Sequence, residues 1–378
     1  MREQSKGKTD FVSIVVPTYR EAENLRPLVT QISKFMLPLH KPFEIIIVDD
    51  DSQDGSDKVV EQLRDEGHPV RIIIRSGIRG LSSAVIHGFR EAKGNYLVCM
   101  DADLSHPPEA IPRLLKSLQS NVAVDFALGS RYVPGATTDE TWGLFRWINS
   151  KVATLMAKPF TRIKDPMSGF FAMPRAIFDQ AEELNPIGYK IGLELIIKCR
   201  CRNVQEIPIH FANRRYGQSK LNLKEQLNYL RHLKLLADFK FGEFSRFMQF
   251  CLVGSTGILV DLSIYSTLLH FGLSLRISRA LAIWLAMTWN FWFNRRLTFS
   301  YSRNISILRQ YPKFVASCLS GAVISWFISV LLPHQYSLFA RHLLLAAVIG
   351  IIAGTLCNFL LSRYWVFKKL SQGKPIPK

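Results

Sequence analysis

The second half of this chain holds long, almost uninterrupted apolar stretches, and nothing else restricts its fold as tightly. Phe247–Leu269, Ile277–Phe293, Phe314–Leu332 and Leu343–Leu361 succeed one another with short polar breaks. About 17–25 apolar residues carry a helix across the hydrocarbon core of a bilayer. Inside that core, only helices or closed barrels satisfy every backbone N–H and C=O. The spacing predicts an all-α membrane domain of four transmembrane helices in two hairpins. The second segment is short and carries Arg279 near its start. Asp261, within the first, is costly in lipid and is a candidate functional position.

Charge supports the same placement. Residues 244–378 hold 14 Lys and Arg against the single acid Asp261, so most of the net +18 belongs to the apolar half. That distribution fits a membrane surface and argues against a nucleic-acid partner, for which no motif is present. Arg295, Arg296, Arg303, Arg309 and Lys313 crowd the middle connection, and Arg363, Lys368, Lys369, Lys374 and Lys378 the tail. By the positive-inside rule, both termini, the middle loop and the first half are expected in the cytoplasm of a multi-pass cell-membrane protein. The half also repeats itself. Arg246-Phe247, Cys251 and Gly254 align with Lys313-Phe314, Cys318 and Gly321, and Asn290-Phe291, Arg295 and Phe299 with Asn358-Phe359, Arg363 and Phe367. Two hairpins related by a parallel pseudo-repeat follow.

The first half reads differently. Phe11–Val16, Phe43–Val48, Val70–Ile74, Asn95–Met100 and Val122–Leu128 are short apolar runs alternating with helical patterns, the signature of a mainly parallel α/β sheet. Acids stand directly after two of these runs, Asp49-Asp50-Asp51 after the second and Asp101 and Asp103 after the fourth. In an open α/β sheet, ligands bind beyond the carboxyl ends of strands. Two carboxylates one residue apart there can share a hard cation that grips phosphate oxygens. Three adjacent acids repel one another unless a cation or hydroxyls partner them. The six cysteines show no metal-ligand spacing and are expected as free thiols. The polar Met1–Asp10 gives no sign of a signal peptide.

Ordered blocks across residues 11–220 carry a specific resemblance. They are Pro17–Asn24, Val48–Gly55, Arg79–Val85, Asp101–Glu109, Gly129–Tyr132, Asp165–Phe171, Asn185–Glu194 and Arg214–Lys220. The segment resembles family 2 glycosyltransferases of GT-A fold (nucleotide-diphospho-sugar transferases), and more narrowly the dolichol-phosphate or polyprenyl-phosphate mannose synthases. The apolar half resembles the GtrA-like four-helix family. Three parts are expected: a GT-A domain over 1–220, an interfacial amphipathic helix over 221–243, and a membrane domain over 244–378. Trp142–Phe160 and Leu221–Phe244 both mix apolar and basic residues as interfacial helices do.

The resemblance also implies roles. Pro17, Tyr19, Glu21, Val48 and Asp50 match positions that hold the nucleotide. Asp101 and Asp103 match donor-diphosphate and metal ligands for Mg²⁺ or Mn²⁺, with Ser105 in the metal set where many relatives carry Gln. Arg131, Arg146 and Ser150 match the acceptor-phosphate cradle. Arg214 and Lys220 match a loop that covers the donor diphosphate. Asp103, Arg131, Arg214 and Lys220 are the implied catalytic group. His106 favours mannose as the donor sugar, and the resemblance implies GDP-mannose as donor, dolichyl or polyprenyl phosphate as acceptor, and inversion. A UDP-glucose (or other UDP-sugar) transferase and a non-enzymatic lipid-linked sugar translocase are the alternatives. The acceptor needs no general base, because a phosphate monoester is already dianionic near neutrality.

Overall fold

A computed structural model describes residues 10–120, 123–139, 144–212 and 223–368. It divides into two compact units, one ending at Lys240 and the other starting at Phe241.

The first unit is a seven-stranded sheet flanked by helices. Along the chain run β1 (Val12–Thr18), α1 (Ala22–Met36), β2 (Phe43–Asp49), α2 (Ser56–Asp65), β3 (Val70–Ile74), α3 (Leu81–Glu91), β4 (Tyr96–Cys99), α4 (Ile111–Leu118), β5 (Phe126–Ser130), β6 (Thr137–Thr138), α5 (Leu144–Ala157), β7 (Phe171–Pro174), α6 (Arg175–Phe178), α7 (Ile191–Lys198), β8 (Val204–Pro208), β9 (His210–Phe211) and α8 (Leu223–Phe241). The sheet order is β3-β2-β1-β4-β7-β5-β8. Only β7 runs antiparallel to its neighbours. β1 is buried along its whole length, as expected of a central parallel strand covered on both faces. Below one face, Leu25, Leu28, Val29, Ile32 and Met36 of α1 recur at helical spacing and enter one core cluster with α4. Across the other face, α3 and α7 close a second core around Phe89, Phe126 and Phe171. Gly88 lets α3 lie flat on the sheet, since a Cβ there would stand 2.5 Å from Val15 Cγ1.

β5 lies C-terminal to its predicted span, and β7 and β8 join the sheet without a predicted strand. α8 packs with the first unit: Leu233 and Leu236 join Ala157, Met167, Leu193 and Ile197 in a small core, and Tyr229 donates to the Ala153 carbonyl at 2.7 Å. Its other side is apolar and exposed at Leu227 and Leu230, as is α5 at Ile148, Val152 and Leu155.

The second unit is helical: α9 (Glu243–His270), α10 (Leu275–Phe293), α11 (Ile307–Gln335), α12 (Ser337–Arg341) and α13 (Leu343–Leu361). Among the described residues, three helical spans are long and apolar enough to cross a membrane, Glu243–His270, Ile307–Gln335 and Val348–Val366. α10 does not reach that standard. α9 pairs with α10 and α11 with α13, giving two hairpins. Both hairpins end in a π-helical turn, Asn294–Thr298 and Ser362–Val366, at repeat-related positions. Contacts are exchanged between hairpins. Phe247 of α9 meets Phe359 of α13, while its counterpart Phe314 of α11 meets Phe291 of α10. Phe299 and Phe367, themselves repeat-related, stack at 4.9 Å. Arg363 binds Glu243 at the start of α9, as Arg295 binds Gln310 near the start of α11.

The linear register needs one correction. Asn358 fills the notch at Gly321, but its counterpart Asn290 fills the notch at Gly257, whereas Gly254 faces open space. The glycine notch alone departs from the alignment, by three residues, while the Phe247 and Phe314 pair keeps it. Asp261 is ion-paired with Arg279 at 2.7 Å, so the acid in α9 neutralises the cation in α10.

Candidate active site

The C-terminal ends of β1, β2, β4 and β5 converge on one edge of the first unit, and the acids expected there are held by specific partners. Asp49 accepts from the hydroxyls of Thr18 at 3.0 Å and Ser52 at 2.5 Å, which satisfies the hydroxyl requirement of the acidic cluster. Asp50 accepts from Arg75 Nε at 2.9 Å and from the Gly80 N–H at 2.7 Å. The Asp50–Arg75 pair is almost fully buried. Arg75 directly follows β3, and its place at a strand end is the one hint the sequence offers of this role. Pro17 and Val48 are buried in β1 and β2 beside this network. Tyr19 lies under the Arg79 guanidinium at 4.7 Å, and Glu21 accepts from Asn24 Nδ2 at 2.6 Å.

After β4 the chain makes a tight turn through Asp101, Asp103 and Ser105, with Leu104 in the left-handed region at φ 60°. A leucine there is strained and persists only where its surroundings fix it. Two devices do so. His106 Nδ1 accepts the Asp101 N–H at 3.0 Å, with its ring stacked on Phe170 at 5.3 Å. Asp103 Oδ1 accepts the Ser105 N–H at 3.1 Å and its hydroxyl at 2.5 Å. Ser105 is 1% exposed and His106 2%. Ser105 therefore sits behind Asp103 and orients it, and His106 shapes the turn from inside. Asp101 is the more accessible carboxylate, packed by Gly169, whose Cβ would stand 3.3 Å from its Oδ1. Among the described residues no group of three His, Cys, Asp or Glu could enclose a metal. Two carboxylates on one turn fit instead a cation of the Mg²⁺ type, completed by substrate phosphates and water.

Arg131, just past β5, is clamped to Asp165. Its backbone N–H and Nε meet Asp165 Oδ2 at 2.9 and 2.7 Å, and NH2 meets Oδ1 at 2.8 Å. Asp165 is completely buried and the Arg131 side chain is 11% exposed. Burial opposes the Arg131 charge, but the Asp165 hydrogen bonds and charge outweigh it and raise the guanidinium pKa. Asp165 opens the Asp165–Phe171 motif, yet nothing in the sequence ties it to Arg131. On α5, Ser150 Oγ lies 2.8 Å from the Tyr132 hydroxyl, and Lys151 Nζ stands 4.4 Å from the Tyr132 ring centre. The structure thus brings Ser150 next to the Arg131 segment. The Arg146 side chain, Arg214 and Lys220 lie outside the described residues. Lys190, also unread from the sequence, has its ammonium pushed down to about 8 by burial, then by the nearby Arg131 charge, against Asp165 and Asp101.

The fold and these residues define a class. Residues 13–181 match the glycosyl transferase family 2 model, and 249–367 match the GtrA/DPMS transmembrane domain. A dolichol-phosphate mannosyltransferase from Pyrococcus furiosus is 38% identical over 93% of this chain and 98% of its own length. Those of Saccharomyces cerevisiae and Mycosarcoma maydis are each 46% identical, over 61% and 63% of this chain and 88% and 83% of their own. The chain belongs to the dolichol-phosphate mannosyltransferase family, and its second unit is a transmembrane domain. Among solved structures, mannosyl-3-phosphoglycerate synthase from Rubrobacter xylanophilus is 17% identical with a TM-score of 0.47, over 60% of this chain and 74% of its own.

Proposed function

We propose that this protein transfers mannose from GDP-mannose to dolichyl or polyprenyl phosphate at the cytoplasmic face of the cell membrane, inverting the anomeric centre and releasing GDP. The observation that carries the reading is the placement, on one sheet edge, of the Asp101–Asp103 turn and the Arg131–Asp165 clamp in a chain with a GtrA/DPMS membrane domain. A phosphate oxygen of the acceptor forms a bond to C1 of mannose as the bond from C1 to the GDP β-phosphate oxygen breaks. One displacement of this kind inverts C1. Asp101 and Asp103, with Ser105 setting Asp103, would hold Mg²⁺ or Mn²⁺, which would supply positive charge opposite the departing diphosphate. Tyr19, Glu21 and Asp50, beside Pro17 and Val48, line the nucleotide end. Arg131, with Arg146 and Ser150, binds the acceptor phosphate, and Asp165 fixes the guanidinium plane before substrate arrives. Arg214 and Lys220 serve the donor diphosphate.

α10 is read as the fourth span. It occupies in its hairpin the place α13 holds in the other, and its Arg279 is neutralised by Asp261. The exposed apolar rows of α5 and α8 are read as a surface resting on the bilayer, with residues 1–220 as the catalytic part and 244–378 as the membrane part. The test is product structure. Protein in liposomes with polyprenyl phosphate, GDP-mannose and Mg²⁺ should yield a β-linked mannosyl phosphate by NMR. An α-linked product, or none, refutes the inverting transfer.

A further inference from the structure

Lys190 stands at the N-terminal end of α7, outside both the metal turn and the Arg131–Asp165 clamp. Its place is fixed from two sides. The Gly188 carbonyl accepts from Ser82 Oγ at 2.7 Å, which ties the segment before α7 to the start of α3, beside the Gly80 N–H that binds Asp50. Two residues beyond Lys190, Gly192 fits against the Ser168 carbonyl, where a Cβ would stand 3.2 Å away. Ser168 and Gly169 belong to the loop that follows Asp165 and packs on Asp101. Lys190 therefore lies between the donor edge and the acceptor clamp, and the charges that act on it are those of Arg131, Asp165 and Asp101.

Charge balance gives this position a purpose. Asp165 takes Nε and NH2 of Arg131 and offsets its charge. A dianionic phosphate beside such a pair is under-compensated, and burying it costs free energy unless further cations are present. Among the described residues, no carboxylate forms an ion pair with Lys190, unlike Lys198, which is paired with Glu194 at 2.9 Å. A compact ammonium on a flexible stem suits a phosphate oxygen as a point charge. We propose that Lys190 is a second cation for the acceptor phosphate, acting beside Arg131 to bind and aim the attacking oxygen; this rests on the acceptor assignment made above.

The test separates the two ideas by measuring binding without turnover. A short isoprenyl phosphate is titrated into the full-length protein in detergent and followed by ³¹P NMR, for wild type, Lys190→Met, Lys190→Gln and Lys190→Arg, with GDP binding measured in parallel. Wild type should bind the isoprenyl phosphate. Lys190→Met and Lys190→Gln should weaken it about 10- to 100-fold, the effect of losing one charged hydrogen bond, with GDP affinity unchanged, and Lys190→Arg should recover most of the loss. The acceptor KM in the transfer assay should rise with the same ordering. Two neutral replacements guard against misfolding of one of them, and melting temperatures near wild type validate each. Unchanged isoprenyl-phosphate affinity in folded Lys190→Met overturns the role of Lys190 while leaving the acceptor reading intact. Equal weakening of GDP places Lys190 on the donor and overturns it as well. Failure of wild type to bind the isoprenyl phosphate overturns the acceptor reading and this proposal with it.

Discussion

Replacing Asp165 by Asn tests whether the clamp organises the acceptor side of the cleft. Asp165 takes three N–H groups of Arg131 at 2.7–2.9 Å. An amide in the same place has one oxygen, and its NH₂ would oppose either Nε or NH2. The guanidinium would then keep its charge in a site where its side chain is 11% exposed. Removing one partner of a buried pair costs roughly 3–5 kcal/mol. For a unit of this size, about 2–4 °C per kcal/mol translates that into a fall in melting temperature on the order of 6–20 °C. Thermal unfolding in detergent, read by intrinsic fluorescence, measures it. Pairing Asp165→Asn with Arg131→Met removes the stranded charge, so the double variant should regain much of the stability without regaining transfer. An unaltered melting temperature in Asp165→Asn with near-normal transfer would refute the clamp as an organising element. A double variant as unstable as the sum of the singles would refute the electrostatic explanation.

Asp103→Asn should lower transfer by about 10²–10³-fold and abolish GDP-dependent Mn²⁺ binding in an EPR titration, because the ligand charge is lost while Ser105 still holds the turn. Gly354→Ala should destabilise the membrane unit by roughly 1–3 kcal/mol, since its Cβ would stand 2.5 Å from the Gly321 carbonyl oxygen. Gly254→Ala, facing open space, should be neutral in the same detergent melt. Burial works to raise the Glu194 pKa, but His232, the Asn185 N–H and Lys198 together hold it below the ordinary glutamate value. A depressed carboxyl stabilises the fold above the unfolded-state value and loses that contribution as pH falls through the folded-state value. Wild type should therefore lose more stability than Glu194→Gln between neutral pH and the acid end of the carboxylate range, in melts run across pH.

The sequence carried the strands that bury both faces. β1 to β4 are continuous apolar runs, and each ends at or near the residue where its ligand-facing turn begins. β5 slipped because its apolar run begins before the residues that pair: Phe126 to Ser130 align with Val204 to Pro208, a register set by a distant strand. β7 has four residues and exists through antiparallel pairing with β4 and β5, which no local pattern announces. In the site, Asp101 and Asp103 were legible because acids after a buried strand have few other purposes. The partners of Asp50 and Arg131 were not, since Arg75 and Asp165 reach them across the fold rather than along an element. The internal repeat was legible from Asn290, Arg295 and Phe299 and their counterparts. The exchange of aromatic contacts between hairpins, and the choice of Gly257 rather than Gly254 as the notch for Asn290, depend on packing and were not.

Donor competition in a membrane assay tests the central claim most directly. Full-length protein in liposomes containing polyprenyl phosphate receives GDP-mannose and UDP-glucose carrying different radiolabels, and the lipid phase is counted. Only the mannose label should enter the lipid, chelating the divalent cation should stop it, and Asp103→Asn should leave both labels in the aqueous phase. Entry of the glucose label in preference to mannose, or an unlabelled lipid phase with folded protein and cation present, would contradict that claim.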